Sequence, residues 1–285
     1  MDMSKRLFIN VIPGKTFLDK LSGTTKVRLF FALIILLIAT WDFRILFPVL
    51  ILGIVGLVSI KPNWKLISGL LAFILVVNLF NLFLIWVVTP NYGKDIVGGS
   101  TVLFAFNSRY MVTAETMWYF LIRLTKFLAS FIVSLTFIQA ITPSEMAAGL
   151  YSIKIPYKVA TIVSIAFRYI PDISRDFSDI KISMQARGME LDSKRTGLFT
   201  RLKQYILILI PLIIISFERV GNIANAMDLR GYGKGKTRTY YSEHEETPND
   251  RRMKVFYILV YLSILVVIFC RIAFPPEFQV WAPWI

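Results

Sequence analysis

The chain has 285 residues, 56% of them hydrophobic and 18% charged, with 32 Lys and Arg against 18 Asp and Glu for a net charge of +14. Soluble domains carry about a quarter charged residues, so this composition selects an integral membrane protein; a basic excess on such a chain marks loops on the cytoplasmic side or at anionic lipid rather than a nucleic-acid partner. One Cys (Cys270) and one His (His244) exclude a disulfide framework and a Cys/His metal site.

The first 26 residues mix charges with Pro13 and Gly14 around no sustained apolar run, so no cleavable signal peptide is expected. Apolar stretches follow at about 27–41, 45–60, 66–88 and 115–141. A spanning helix needs roughly 20 apolar residues. The first two stretches are short, but merged they would make a helix of about 51 Å, too long for one crossing. Trp41-Asp42-Phe43-Arg44, with Pro48 just after, therefore reads as a tight turn between two short spans. The fourth stretch carries Arg123 and Lys126: either its membrane portion begins near Phe127, or these charges face a protein interior or a partner.

Four crossings from a cytoplasmic N-terminus, which holds six Lys and Arg through Arg28, return the chain inside at about residue 141. Residues 142–254 then hold 18 Lys and Arg, as the positive-inside bias requires, while the outer loop 89–114 holds two, Lys94 and Arg109. The apolar runs Ile162–Ile173 and Tyr205–Phe217 are short and interrupted, by Arg168 and Pro171 in one and by Pro211 in the other. If both crossed, the segment 174–204 with its seven Lys and Arg would lie outside. Both are expected to be buried or interfacial helices that do not cross. The basic block opens with Thr142-Pro143-Ser144-Glu145, where Thr142 suits a cap, Pro143 the first helical position and Glu145 the third residue of a capping box.

Two long helices are predicted at about 157–187 and 201–230, with similar ends. At an offset of 43 residues, Phe177, Ile180, Met184 and Arg187 align with Val220, Ile223, Met227 and Arg230. Each series is spaced 3, 4, 3, which puts it on one helical face. Asp172, Asp176 and Asp179 stay off that stripe, and Arg168–Asp172 and Arg175–Asp179 are spaced as i,i+4 ion pairs. An Arg-Gly end is an ordinary helix stop, since glycine favours the position past a helix and a cation suits its C-terminus. Two copies on matching faces suggest instead two equivalent prongs offered to a two-lobed partner, each with a planar donor suited to carboxylates.

Gly235-Lys236-Thr237 resembles the end of a nucleotide-binding P-loop, but residue 230 is arginine where the first glycine is needed, and a helix rather than a strand precedes it. Residues 231–252 read as a flexible cytoplasmic linker in which His244 is solvated, and a last span follows at about 255–273, with Cys270 a small buried hydrophobe. The expected fold class is an all-α membrane protein of about five spans with a cytoplasmic block of long helices. Its parts are a bundle of about four spans at 1–141, coupling helices at 142–252, and the last span with an external C-terminus at 253–285.

With these features the sequence resembles, along its whole length, the transmembrane T component of energy-coupling factor transporters. The motifs that carry the likeness are Ala186-Arg187-Gly188 and Leu229-Arg230-Gly231; the second departs from Ala-Arg-Gly at Leu229, so its Arg-Gly alone is carried over. The resemblance implies a multi-pass scaffold in a prokaryotic cell membrane, part of a vitamin or metal-ion importer. Two ABC-type ATPase subunits would dock at the long helices, with Arg187 and Arg230 as coupling residues. A separate substrate-binding membrane subunit would pack on the apolar helices. No cofactor, metal or nucleic acid is expected on this chain, since ATP and magnesium would belong to the ATPases. Two other readings stand beside it. One is a self-contained permease or channel with Arg123 and Lys126 lining a path. The other is an intramembrane enzyme, disfavoured because Asp42, Asp95 and Glu115 are scattered and no paired acids, Ser/His pair or HExxH is present.

Overall fold

A computed structural model of the chain describes residues 16–90, 92–98, 101–105, 110–189, 197–235, 247–273 and residue 283. It is an all-α membrane protein with one short hairpin. In chain order the elements are α1 (Gly23–Ala39), α2 (Phe43–Ser59), α3 (Trp64–Val88), α4 (Tyr92–Val97), β1 (Val102–Ala105), β2 (Met111–Thr113), α5 (Ala114–Ala140), α6 (Pro143–Ser152), α7 (Tyr157–Ala186), α8 (Leu198–Leu229) and α9 (Pro248–Ala273). They divide into two compact units, residues 1–145 with 242–285, and residues 146–241.

In the first unit α5 is the central helix. Its face of Tyr119, Ile122, Ala129 and Val133, spaced three, seven and four apart, packs with Ala32, Leu33, Leu36 and Leu37 of α1, Leu46 and Val49 of α2, and Tyr257, Val260 and Ile264 of α9. Such i, i+3, i+4 and i+7 faces are what apolar helices need to interlock. α3 joins the bundle at its margin, where Ile67 packs with Leu57, Ile132 and Leu135; most of its large side chains are exposed, as suits a lipid-facing helix. β1 and β2 pair antiparallel, and the buried Glu115 at the start of α5 accepts hydrogen bonds from the Thr101 N–H (3.0 Å) and hydroxyl (2.6 Å).

The turn between the first two helices falls at Thr40–Asp42, overlapping the predicted Trp41–Arg44, of which Phe43 and Arg44 already belong to α2. A helix end leaves backbone carbonyls without intrahelical donors. Here Lys126 of α5 supplies the donor: its Nζ lies 3.1 Å from the Ile38 carbonyl and 3.1 Å from the Thr40 carbonyl, with the Trp41 ring centroid at 4.1 Å. Arg123, one turn earlier, donates to Asn81 Oδ1 (3.0 Å) and to the Tyr119 hydroxyl (3.3 Å). Both charges are half-buried and bonded to groups of the bundle.

Three helix starts meet at the beginning of α1. Ser22 caps it, its Oγ accepting from the Thr25 N–H. The Ser22 N–H donates to Asp250 Oδ1 (2.8 Å), and Lys26 Nζ reaches Glu145 Oε2 (2.9 Å) and the Asp19 carbonyl (2.9 Å). Glu145 and Asp250 each close a capping box. The Thr142 N–H donates to Glu145 Oε2 (2.9 Å) while the Glu145 N–H points back at Thr142 Oγ1 (3.4 Å), forming the box expected there. Thr247 and Asp250 repeat the arrangement at 3.1 and 3.3 Å, in a second Thr-Pro-x-acid sequence that the reading as a linker passed over. All four charged groups, Asp19, Lys26, Glu145 and Asp250, are buried. Gly23 lies against the Glu145 backbone so closely that any Cβ would overlap its carbonyl, and only glycine fits.

Among the described residues, four helices are long and apolar enough to cross a membrane: Trp64–Val88, Ala114–Ala140, Leu202–Leu229 and Pro248–Cys270. α1 and α2, at 17 residues each, reach about 25 Å, just short of a typical hydrocarbon core. Two expectations need correction. α8 is continuous through Pro211, as the predicted helix at about 201–230 requires, but its apolar reach exceeds the short, interrupted run Tyr205–Phe217. Leu202–Leu229 has the length and composition of a span, and a proline in an apolar setting is accommodated because neighbouring groups re-satisfy the freed carbonyl. Cys270 is exposed on α9 rather than buried, so it faces away from the bundle. α9 also begins at Pro248, earlier than the apolar run suggested, because the capping box starts the helix before the hydrophobic segment. His244, Lys236 and Thr237 lie outside the described residues.

Candidate functional site

The second unit is built on α7 and α8, and its candidate site is the pair of helix ends at Arg187 and Arg230. The two ends have the same backbone construction. Arg187 is the C-cap of α7; the Gly188 N–H bonds the Gln185 carbonyl (3.0 Å) and the Met189 N–H bonds the Met184 carbonyl (3.0 Å). Arg230 is the C-cap of α8; the Gly231 N–H bonds the Asp228 carbonyl (2.9 Å) and the Tyr232 N–H bonds the Met227 carbonyl (2.9 Å). Both are Schellman motifs, matched atom for atom at the 43-residue offset. Gly188 (φ +91°) and Gly231 (φ +67°) occupy the left-handed region that such a stop requires. The glycines are there for this backbone conformation, because no atom lies within 4 Å of a Cβ placed on Gly188.

The motifs leave both guanidinium groups outward. Ala186, Arg187, Gly188, Leu229 and Arg230 are exposed and Gly231 is half-buried; Leu229 is 90% exposed. Among the described residues neither arginine has an ion-pair partner. Below them, Phe177, Ile180 and Met184 on α7 and Ile223 and Met227 on α8 are half-buried, while Val220 is exposed. The arrangement offers two exposed planar donors, without ion-pair partners among the described residues, near half-buried apolar side chains; a guanidinium suits carboxylates in a planar, bidentate geometry.

Two contacts fix the direction of the helices. Tyr157 at the start of α7 meets Tyr232 just past α8, ring centroids 5.7 Å apart and edge-on. Further on, Asp176 Oδ2 accepts from Arg219 Nη2 at 2.6 Å, and the Arg219 guanidinium lies 5.8 Å from the Tyr169 ring centroid. Numbers rise along α7 as they fall along α8, so the pair is antiparallel. Arg187 and Arg230 therefore lie on opposite sides of the Asp176–Arg219 contact. Each is 11 residues beyond it (187 − 176 and 230 − 219), or about 16 Å of helix.

The expected i,i+4 pairs do not form among the described residues. Arg175 instead lies 3.7 Å from Asp172, three positions back and largely exposed, and Arg168 has no acid partner there. The sequence reading missed Arg219, although the signal was available: adding the repeat offset of 43 to Asp176 gives residue 219, an opposite charge.

The profile of the CbiQ family, described as cobalt transport protein, matches residues 14–241. The energy-coupling factor transporter transmembrane protein EcfT of Limosilactobacillus fermentum is 26% identical over 253 residues, covering 84% of this chain and 89% of that protein. Its counterpart in Bacillus selenitireducens is 25% identical over 240 residues, covering 81% and 85%. That of Exiguobacterium sibiricum is 32% identical over 147 residues, 48% of this chain and 54% of that protein.

Proposed function

The chain belongs to the CbiQ family and is a transmembrane component of an energy-coupling factor transporter, and from that premise we propose that it is the scaffold linking two cytoplasmic ATPases to a substrate-capturing membrane subunit in vitamin or metal-ion uptake. The chain itself catalyses nothing; ATP and magnesium bind the ATPases. Residues 142–252 form the cytoplasmic coupling block, and α8 lies along the membrane without crossing it, because its apolar stretch stops at Phe217 and its last turns carry Glu218, Arg219, Asp228 and Arg230.

The observation that carries the reading is the repeated helix end: two arginines in one backbone motif, at equal arm lengths, at opposite ends of an antiparallel pair. A pair of like subunits, each with one groove, is the partner that such a duplicated device suits. Arg187 and Arg230 insert into those grooves against acidic groups. Closure of the ATPases on ATP then displaces both ends, and packed helices carry the displacement as nearly rigid bodies. The contacts of Arg123 and Lys126 with neighbouring helices favour the scaffold reading over a self-contained permease, which needs these cations turned to a path.

The test is a pull-down of the tagged full chain from solubilised membranes, assayed for ATP hydrolysis beside Arg187→Ala with Arg230→Ala. Truncating desolvated charge pairs is expected to cost about 2–5 kcal/mol each, at least about 30-fold in affinity, so the variant should lose its ATPases. Wild-type recovery of the chain without ATPase, or an unchanged variant, overturns the proposal.

A further inference from the structure

The Asp176–Arg219 pair is not part of either helix end, yet its position is singular. It joins two residues that are each other's equivalents under the 43-residue repeat, so in the antiparallel pair it falls midway between Arg187 and Arg230. Both side chains are largely sheltered, with 28% of Arg219 and 24% of Asp176 exposed, and Arg219 is also bracketed by Tyr169. The second guanidinium nitrogen, Nη1, is buried and has no acceptor among the described residues. A sheltered ion pair of this kind contributes little net stability, because desolvation offsets its attraction; its best-attested use is to fix register.

Register matters here because of the arms. Each arginine tip stands about 16 Å from the crossing, so a tilt of about 10° there moves a tip by about 3 Å. A recognition group placed even about 1 Å loosely loses much of its effect. The flanking acids do not share the work. Asp172 leans on Arg175 and Asp179 has no ion-pair partner among the described residues.

Resting on the scaffold reading, we infer that Asp176 and Arg219 are the positioning pair of the coupling unit: their contact is the pivot that sets the separation of Arg187 and Arg230 and makes the two ends move as one body.

The test uses the full chain with Cys270→Ser and spin labels at Gln185→Cys and Asp228→Cys, exposed positions one turn before each glycine and themselves related by the repeat. Pulsed electron resonance in detergent is expected to give a single label–label distance for Asp176 with Arg219 intact. Asp176→Asn and Arg219→Met should each lose that single distance, and Asp176→Arg combined with Arg219→Asp should restore it. Asp172→Asn and Asp179→Asn should leave it unchanged. Restoration by the exchanged charges separates positioning from mere folding. A distance insensitive to both single variants, or equally sensitive to the flanking acids, overturns the inference. In the complex with copurified ATPases, adding ATP and vanadate should shift the distance as one step, and Asp176→Asn should lose the step while retaining the ATPases. An intact step in that variant also overturns the inference. If wild type recovers no ATPase, the scaffold reading fails, while the detergent distances still decide the pivot.

Discussion

Lysine 26 shows how much structure one side chain can hold. Its ammonium joins the first turn of α1 to the capping carboxylate of Glu145, with both side chains under one-tenth exposed. Removing one member of such a pair leaves the other buried without compensation. Lys26→Met is therefore expected to cost about 3–5 kcal/mol, measured as a fall in the melting temperature of the full chain in detergent. Combining it with Glu145→Gln should return part of the loss, since the amide oxygen still accepts from the Thr142 N–H. A double variant no more stable than the single one would show that the charge pair is not the source of the effect. The sequence reading saw Glu145 as a cap and missed Lys26, because nothing local to residue 145 announces a cation 119 positions away.

At the scale of elements, what was legible was whatever a helix declares along its own axis. α3, α5 and α9 declared themselves by apolar length, and α7 and α8 by the stripe ending in Arg-Gly. What was not legible was satisfied across the fold. The break after α1 was readable from Trp41-Asp42, but the donor for its carbonyls comes from Lys126 on another helix. Lys126→Met should uncap α1 and remove the contact with Trp41, lowering stability by about 1–2 kcal/mol. Thermal unfolding of the full chain checks this, and an unchanged midpoint would mean that water serves those carbonyls equally well. The apolar reach of α8 was underrated for the opposite reason: Pro211 counts as an interruption of the run Tyr205–Phe217 in isolation, and its tolerance depends on surroundings that no window of sequence contains. Of the candidate site, the two arginines were readable from periodicity, whereas the antiparallel sense that separates them needed Tyr157–Tyr232 and Asp176–Arg219.

For the whole molecule the outstanding quantity is sidedness. In a Cys270→Ser background, Thr101→Cys, in the loop expected outside, should react with a membrane-impermeant maleimide on intact cells. Phe199→Cys and Asp228→Cys, near either end of α8, should both react after permeabilisation alone. If α8 crossed the membrane, one of these two would label from outside, and the orientation of residues 142–252 would have to be redrawn. The three-way junction at Ser22–Lys26 bears on the history of the chain as well. Glu145 and Asp250, which flank residues 146–241, are tied to the same turn of α1. The chain thus leaves and rejoins the bundle at a single doorway. Loop-closure entropy rises by only about 0.6 kcal/mol for each doubling of loop length, so what lies beyond that doorway can lengthen, shrink or be exchanged between lineages at small cost to the bundle that carries it.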